Sequence, residues 1–146
     1  MFLSKSFGYA LRGVLYVALL EPKGKKVKIE QMADKLAVPR HFLAKIMKKM
    51  VQEDILTSTK GPYGGFSLSE TTLQTKLLHL VKITDGMEQF KTCVLSLRKC
   101  NSKNPCPLHY QMLQIRDGML AEFSKTTIGD LLDKKNPDFI KSISVI

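Results

Sequence analysis

VKIEQMADKLAVPRHFLAKIMKKMVQEDILTSTKGPYGGFSLS, residues 27–69, reads helix, tight turn, helix and glycine-rich hairpin, in that order. Ile29, Met32, Ala33 and Leu36 recur at i, i+3, i+4 and i+7, the spacing of one buried helix face, while Glu30, Gln31, Asp34 and Lys35 fall on the wet side. Ala37, Val38 and Pro39 make the turn. Proline suits the first position of a helix, where its missing N–H has no partner to lose, so the second helix is predicted to start at Pro39. It buries Leu43, Ile46, Met47 and Met50 and turns Arg40, His41, Lys45, Lys48 and Lys49 outward. The β-prone run Ile55–Thr59 and the segment Ser67–Ser69 then flank KGPYGGF, residues 60–66, as two short strands and a loop. Pro62 presets a turn dihedral, Gly64 and Gly65 permit positive φ, and Lys60 with Tyr63 project from the tip. This is the pattern of a winged helix-turn-helix.

A helix with one cationic face fits a DNA major groove, and a basic wing can reach phosphate or a minor groove. The competing reading is a winged-helix adaptor for another protein, since basic helix faces are often only solvated surface. Charge placement favours DNA. From Lys23 to Lys49 there are nine Lys and Arg against only Glu30 and Asp34, and the excess falls on the face and loop that would meet phosphate. Arg40, His41, Lys45, Lys48, Lys60 and Tyr63 are therefore the expected contacts to double-stranded DNA.

The whole chain agrees with this. Its 146 residues are 44% hydrophobic, enough for one core with appendages, and the net charge of +10 points to a polyanionic partner. No apolar run is long enough to span a bilayer. The start, MFLSKSFGYALRG, mixes basic residues into its apolar stretch and lacks a signal-peptide cleavage site, so a cytoplasmic location is expected. An odd number of cysteines, three, makes a disulfide framework an unlikely design for such a chain.

In chain order, Ser4 is predicted to cap a helix running to about Leu20, with Phe7, Ala10, Leu11, Val14, Leu15 and Ala18 apolar and Arg12 either solvated or at the DNA backbone. Residues 21–28 read as a basic loop. After the wing, Thr75 is predicted to cap a packing helix with Leu77, Leu78, Leu80, Val81 and Ile83, ended by Asp85-Gly86. His79 has no obvious ligand partner and reads as a structural histidine.

From Phe90 to His109 the composition changes: FKTCVLSLRKCNSKNPCPLH holds all three cysteines, four basic residues and no acid. Cys93, Cys100, Cys106 and His109 form C-x6-C-x5-C-x2-H on a loop entering a helix opened by Pro107. Structural zinc usually rests on close C-x2-C knuckles, which are missing here, and looser spacing suits an iron-sulfur cluster better. The helix dipole with Arg98, Lys99 and Lys103 would favour the Cys106 thiolate, and Lys91 adds a further counter-charge. Three cysteines with no ligand role remain the alternative.

The helix after Pro107 carries Leu108, Met112, Ile115, Met119 and Phe123 at steps of four, three, four and four, a coiled-coil-like seam. So late in a small chain, pairing with a second copy is the expected use, and two-fold helix-turn-helix proteins read palindromes. Thr127 should cap a short turn over residues 128–132. The expected organisation is a DNA-binding unit with its packing helix over 1–86, a cysteine-containing sensor loop over 87–106, a dimerisation helix and capping turn over 107–132, and a tail over 133–146 without functional signal. The fold class is thus mainly α with a small β-hairpin wing and a long dimerisation helix.

YALR at Tyr9–Arg12, the helix-turn-helix with its KGPYGGF wing, VKITDG at Val81–Gly86, the cysteine loop and TTIGDLL at Thr126–Leu132 together resemble the Rrf-type winged-helix regulators, the IscR-, NsrR- and CymR-like group. The resemblance covers nearly the whole chain. It implies a homodimeric transcriptional regulator, a repressor, with recognition helices in major grooves, wings in minor grooves and, in many members, a cluster on the three cysteines; a 2Fe-2S cluster is the expectation here, with the cluster type and fourth ligand left open. Several relatives take their fourth ligand from a first-helix carboxylate, where this chain has Gly8; the IscR-like histidine three residues past the last cysteine is present as His109. Ala44 stands where that pattern has a recognition-helix glutamate, so its operator preference does not transfer. The spacing from Cys93 to Cys100 is one residue longer than usual. Other relatives carry no cluster and answer to a protein partner or to thiol oxidation. An enzyme is not indicated: GPYGG lies in a hairpin rather than after a strand, and no paired carboxylates or Cys–His pocket pattern can be read.

Overall fold

The computed structural model describes residues 3–20, 26–95, 99–132 and 142–143. Helix α1, Lys5–Leu20, starts where Ser4 accepts the Phe7 amide on its hydroxyl at 3.3 Å, an N-cap that satisfies one orphan donor. Six consecutive residues, Gly13 to Ala18, are buried, more than one face can supply. The helix is central. It meets α2, Ile29–Leu36, α3, Arg40–Gln52, and α4, Leu77–Thr84. Arg12 is half-buried: its guanidinium donates to the Leu36 carbonyl at the end of α2 and lies 5.3 Å over the Tyr9 ring.

The turn between α2 and α3 is made by Ala37 in the left-handed conformation, φ +53°, whose amide bonds back into α2. Pro39 sits one residue earlier than predicted, as the N-cap of α3, and α3 opens at Arg40. Leu43, Ile46, Met47 and Met50 are buried as their spacing requires.

Strands β1, Leu56–Thr59, and β2, Gly65–Leu68, pair antiparallel with Leu56 opposite Leu68 and Thr59 opposite Gly65. The tip is therefore residues 60–64, and Gly65 and Phe66 belong to the strand rather than the loop. Gly65 has the expected positive φ, +145°. Gly64 is required for a different reason than φ: a Cβ there would lie 2.0 Å from the Thr59 carbonyl oxygen. Val27, read from sequence as loop, pairs with Phe66 through bonds of 2.9 and 2.7 Å and gives the sheet a one-residue third member.

Thr75 does not cap α4. It ends a 3-10 turn at Thr72–Gln74, and Lys76 holds the N-cap position of α4 without a side-chain bond. Gly86, φ +72°, ends the helix by donating to the Val81 carbonyl. Beside it, Asp85 accepts from both the amide and the hydroxyl of Ser4 at 2.7 and 2.5 Å, joining the two helix ends.

Helix α5, His109–Lys125, begins two residues after Pro107, with Leu108 as N-cap, and packs on α4. The predicted seam is divided. Met119 and Phe123 pack on the chain's own core, Phe123 stacking on Phe7 with centroids 5.8 Å apart, whereas Leu108 and Ile115 are exposed. Thr127 forms a capping box with Asp130 at the start of α6, Ile128–Leu131, and the Thr127 amide and hydroxyl hold the Asp130 carboxyl below its ordinary range. Leu77 and Ile128 donate to the carbonyls of Thr126 and Thr75, closing the C-terminal segment onto the chain ahead of α4. In the tail, Ile143 is buried in the core.

Candidate nucleic-acid interface and cysteine cavity

At 100° per residue, the buried stripe of α3 places His41, Lys45 and Lys48 at the middle of the opposite face. All three are exposed. Arg40 and Lys49 flank that face, and Arg40 is held by Glu30 at 2.7 Å, with both side chains more than half exposed. A pair that wet is worth about 0–1 kcal/mol, so a phosphate can displace Glu30. Glu30 is held below the ordinary carboxylate range: a backbone hydrogen bond has the largest effect, desolvation opposes it, and Arg40 and Lys28 add to the lowering. Lys60 is exposed on the wing, and Tyr63 at its tip is 93% exposed.

Two lysines counted in the basic loop were not among the expected contacts. The Val27 side chain is buried where its backbone pairs with Phe66, so its neighbours Lys26 and Lys28 both face out, and they line a groove of about 350 Å³ with Gln31, Pro62, Tyr63 and Gly64 between α2 and the wing. Lys26 donates to the Thr59 hydroxyl at 2.7 Å. The alternation Lys-Val-Lys was the available signal.

The second site lies at the other end of the molecule's sequence order. Phe90 is buried at the end of a 3-10 turn, Glu88–Phe90, and starts the cysteine segment. Cys100 donates its amide to the Lys91 carbonyl at 2.6 Å and Thr92 bridges Lys99, so the loop carrying Cys93 is closed at its neck. The His109 amide bonds the Cys106 carbonyl at 3.0 Å, which places these two donors together at the entry to α5. A cavity of about 560 Å³ lies between the limbs, lined by Cys93, Cys100, Cys106 and His109 with Phe90, Met112, Leu113 and Arg116 among its walls. All three thiols are free.

His109 is 4% exposed; its Nδ1 lies 3.1 Å from the Cys100 sulfur, while Nε2 is buried without a partner. An unpaired buried imidazole nitrogen costs of the order of 1–3 kcal/mol unless something takes it up. With three thiols on the same walls, the donor chemistry fits an iron-sulfur cluster. Among the described residues, however, no three His, Cys, Asp or Glu side chains are close enough to hold a single metal ion. Gly8, where relatives place a carboxylate, lines no part of the cavity.

Of the expected counter-charges, the described Lys91, Lys99 and Lys103 do not line the cavity. Lys91 pairs with Glu88 at 3.4 Å, Lys99 and Lys103 are exposed, and Arg98 lies outside the described residues. The dipole argument for Cys106 also weakens, since α5 starts three residues beyond it. Arg116, which drew no notice in the sequence, lines the cavity instead and donates from Nη1 to the Phe90 carbonyl at 2.8 Å. His79 is exposed and away from these walls.

No helix among the described residues is long and apolar enough to cross a membrane. An Aquifex aeolicus protein described as an HTH-type transcriptional regulator is 31% identical over 135 residues, covering 91% of this chain and 92% of its own. Two solved structures share the fold: T. potens IscR, with a TM-score of 0.71 and 14% identity over 94% of this chain and 91% of its own, and the global cysteine regulator CymR of B. subtilis, at 0.70 and 17% over 90% and 95%. The sequence pattern of Rrf2, described as an iron-dependent transcriptional regulator, matches residues 3–134. The winged helix-turn-helix with its cationic α3 face and these likenesses agree, and the chain belongs to the Rrf2 family of DNA-binding transcriptional regulators.

Proposed function

We propose that the protein is a homodimeric repressor that binds a palindromic operator and senses redox, nitric oxide or iron-sulfur status through a cluster, of the 2Fe-2S kind, held by Cys93, Cys100 and Cys106 with His109 as the fourth ligand. The observation that carries the sensing part is the buried, unpartnered Nε2 of His109 on the wall of the cavity that all three free thiols line. On DNA, His41, Lys45 and Lys48 approach base edges, Arg40 leaves Glu30 for phosphate, and Lys60 and Tyr63 set the register from the wing. Residues 1–86 form the DNA-binding unit, 87–106 the sensor loop and 107–132 the dimerisation segment, with the contact made by the exposed side of α5 around Leu108 and Ile115. The location is the cytoplasm, where its DNA is.

When bound, the cluster supplies a redox-active, oxidant-sensitive centre, and a neutral histidine ligand raises its potential relative to four thiolates. The chain's own part is to hold Cys106 and His109 rigidly at the head of α5, to close the Cys93 loop at its neck, and to exclude bulk water with Phe90, Met112 and Leu113. Movement of the loop relative to α5 is the signal.

Protein prepared without oxygen should carry iron and sulfide with visible absorbance, and Cys106→Ala should lose most of it. His109→Ala with unchanged absorbance removes histidine alone from the ligand set. A preparation free of iron under those conditions overturns the cluster reading. The Cys100–His109 contact of 3.1 Å then favours the second reading, a thiol-oxidation sensor of the same fold in which the imidazole shares the thiol proton. Absence of salt-dependent binding to operator DNA would instead indicate a protein-binding adaptor.

A further inference from the structure

On the inner face of α5, His109, Met112, Leu113 and Arg116 follow one another at i, i+3, i+4 and i+7, and all four line the cysteine cavity. Arg116 is the only permanent cation among the described residues lining it. Its side chain is 27% exposed, so its charge is screened less than that of exposed Lys99 or Lys103. Its tie to the other limb is the bond from Nη1 to the carbonyl of Phe90, the buried residue directly before the neck where Cys100 bonds Lys91. One limb of the cavity brings Cys93 and Cys100; the other, through α5, brings Cys106 and His109. Arg116 belongs to the second limb and grips the first.

We propose that Arg116 is the counter-charge of the cavity and the strap between its two ligand-bearing limbs, a positioning residue that passes the charge of the occupant to α5. The proposal rests on the cluster reading above. A guanidinium carries five N–H donors in a rigid fork; one here holds the Phe90 carbonyl and one the Asp117 carboxylate at 3.3 Å. A negatively charged occupant draws the fork toward the cavity, and its loss leaves the guanidinium to the Phe90 carbonyl. The balance between those partners changes how tightly the Cys93 loop is bound to α5, the helix whose other side would meet the second copy.

The test uses full-length protein loaded with iron and sulfide anaerobically, and compares wild type with Arg116→Gln, Arg116→Lys and the exposed-charge control Lys99→Gln/Lys103→Gln. Arg116→Gln should shift the cluster midpoint potential to a more negative value, because reduction adds charge that has lost its partner, and should speed iron release to a chelator by about 10-fold or more. Arg116→Lys should keep most of the potential while releasing iron faster, since the charge remains and the fork does not. The exposed-charge control should behave as wild type. A loaded Arg116→Gln protein with wild-type potential and release, or a control that shifts as far as Arg116→Gln, overturns the role of Arg116 alone. Wild-type protein that takes up no cluster overturns the underlying reading and this role together.

Discussion

Ile115→Asp and Phe123→Ala form a paired experiment, because the two residues share one predicted seam and α5 turns them to different neighbours. Ile115 is 55% exposed, so aspartate there costs the isolated chain no more than about 0.5 kcal/mol. In a two-fold interface each copy would bury an unpaired carboxylate, at about 3 kcal/mol apiece. Two copies make about 6 kcal/mol, or roughly four powers of ten in the dimer dissociation constant. Phe123 is half-buried against the core and stacks on Phe7. A fully buried Phe→Ala change costs about 3–5 kcal/mol, so half burial predicts about 2 and a fall in Tm of about 4–8 °C. Sedimentation velocity across micromolar concentrations and thermal unfolding by circular dichroism measure the two effects. Ile115→Asp should give monomers that melt like wild-type monomer; Phe123→Ala should lower the melting temperature. An Ile115→Asp protein that remains dimeric at micromolar concentration refutes the placement of the interface, and an unchanged melt for Phe123→Ala refutes its packing.

Lys60→Ala should lower the slope of log operator affinity against log salt by about 0.9 for each protomer, about 1.8 for the dimer, if each lysine meets one phosphate, measured by fluorescence anisotropy over a salt series. Gly65→Ala places a Cβ 2.7 Å from the Val27 carbonyl at a φ of +145°, a strain of about 1–3 kcal/mol; faster amide exchange at Phe66 and weaker operator binding, with the α1 core still protected, are the expected readouts. At Asp85 burial pushes the carboxyl up, but the Ser4 hydroxyl and amide with Thr84 and Gln89 outweigh it and hold it below its ordinary value of 3.8. A depressed folded value contributes stability that is present above the unfolded value and lost as pH falls through the folded one. Asp85→Asn should therefore flatten the dependence of the urea midpoint on pH between about pH 5 and 2, and an unaltered profile would show the Ser4 link to be without weight.

Whatever depends on near neighbours in the chain was legible in the sequence. The stripes of α2 and α3, the Ser4 and Thr127 caps, the glycine stop at Gly86 and the hairpin with Lys60 and Tyr63 at its tip all follow from period, capping chemistry and turn residues, which act within a few positions. The cationic face of α3 was legible for the same reason: once the buried stripe is known, the opposite side is fixed by the helix pitch. Boundaries moved by one or two residues at Pro39, Thr75 and Pro107, where a local preference was satisfied slightly differently.

Period says which residues share a face but not what that face meets, and there the tertiary structure decided. Ile115 and Phe123 belong to one stripe of apolar residues, yet Phe7 and the core take up Phe123 while Ile115 stays outside. Val27 became a strand residue only because Phe66 arrives beside it, which turned Lys26 and Lys28 toward the wing. The four basic residues near the cysteines were plain in the sequence, but proximity along the chain is a poor guide to a cavity whose far wall is a helix. Arg116 reaches it from ten residues beyond the last cysteine because α5 folds back over Phe90, and that packing puts its guanidinium on the wall of the cavity the thiols line.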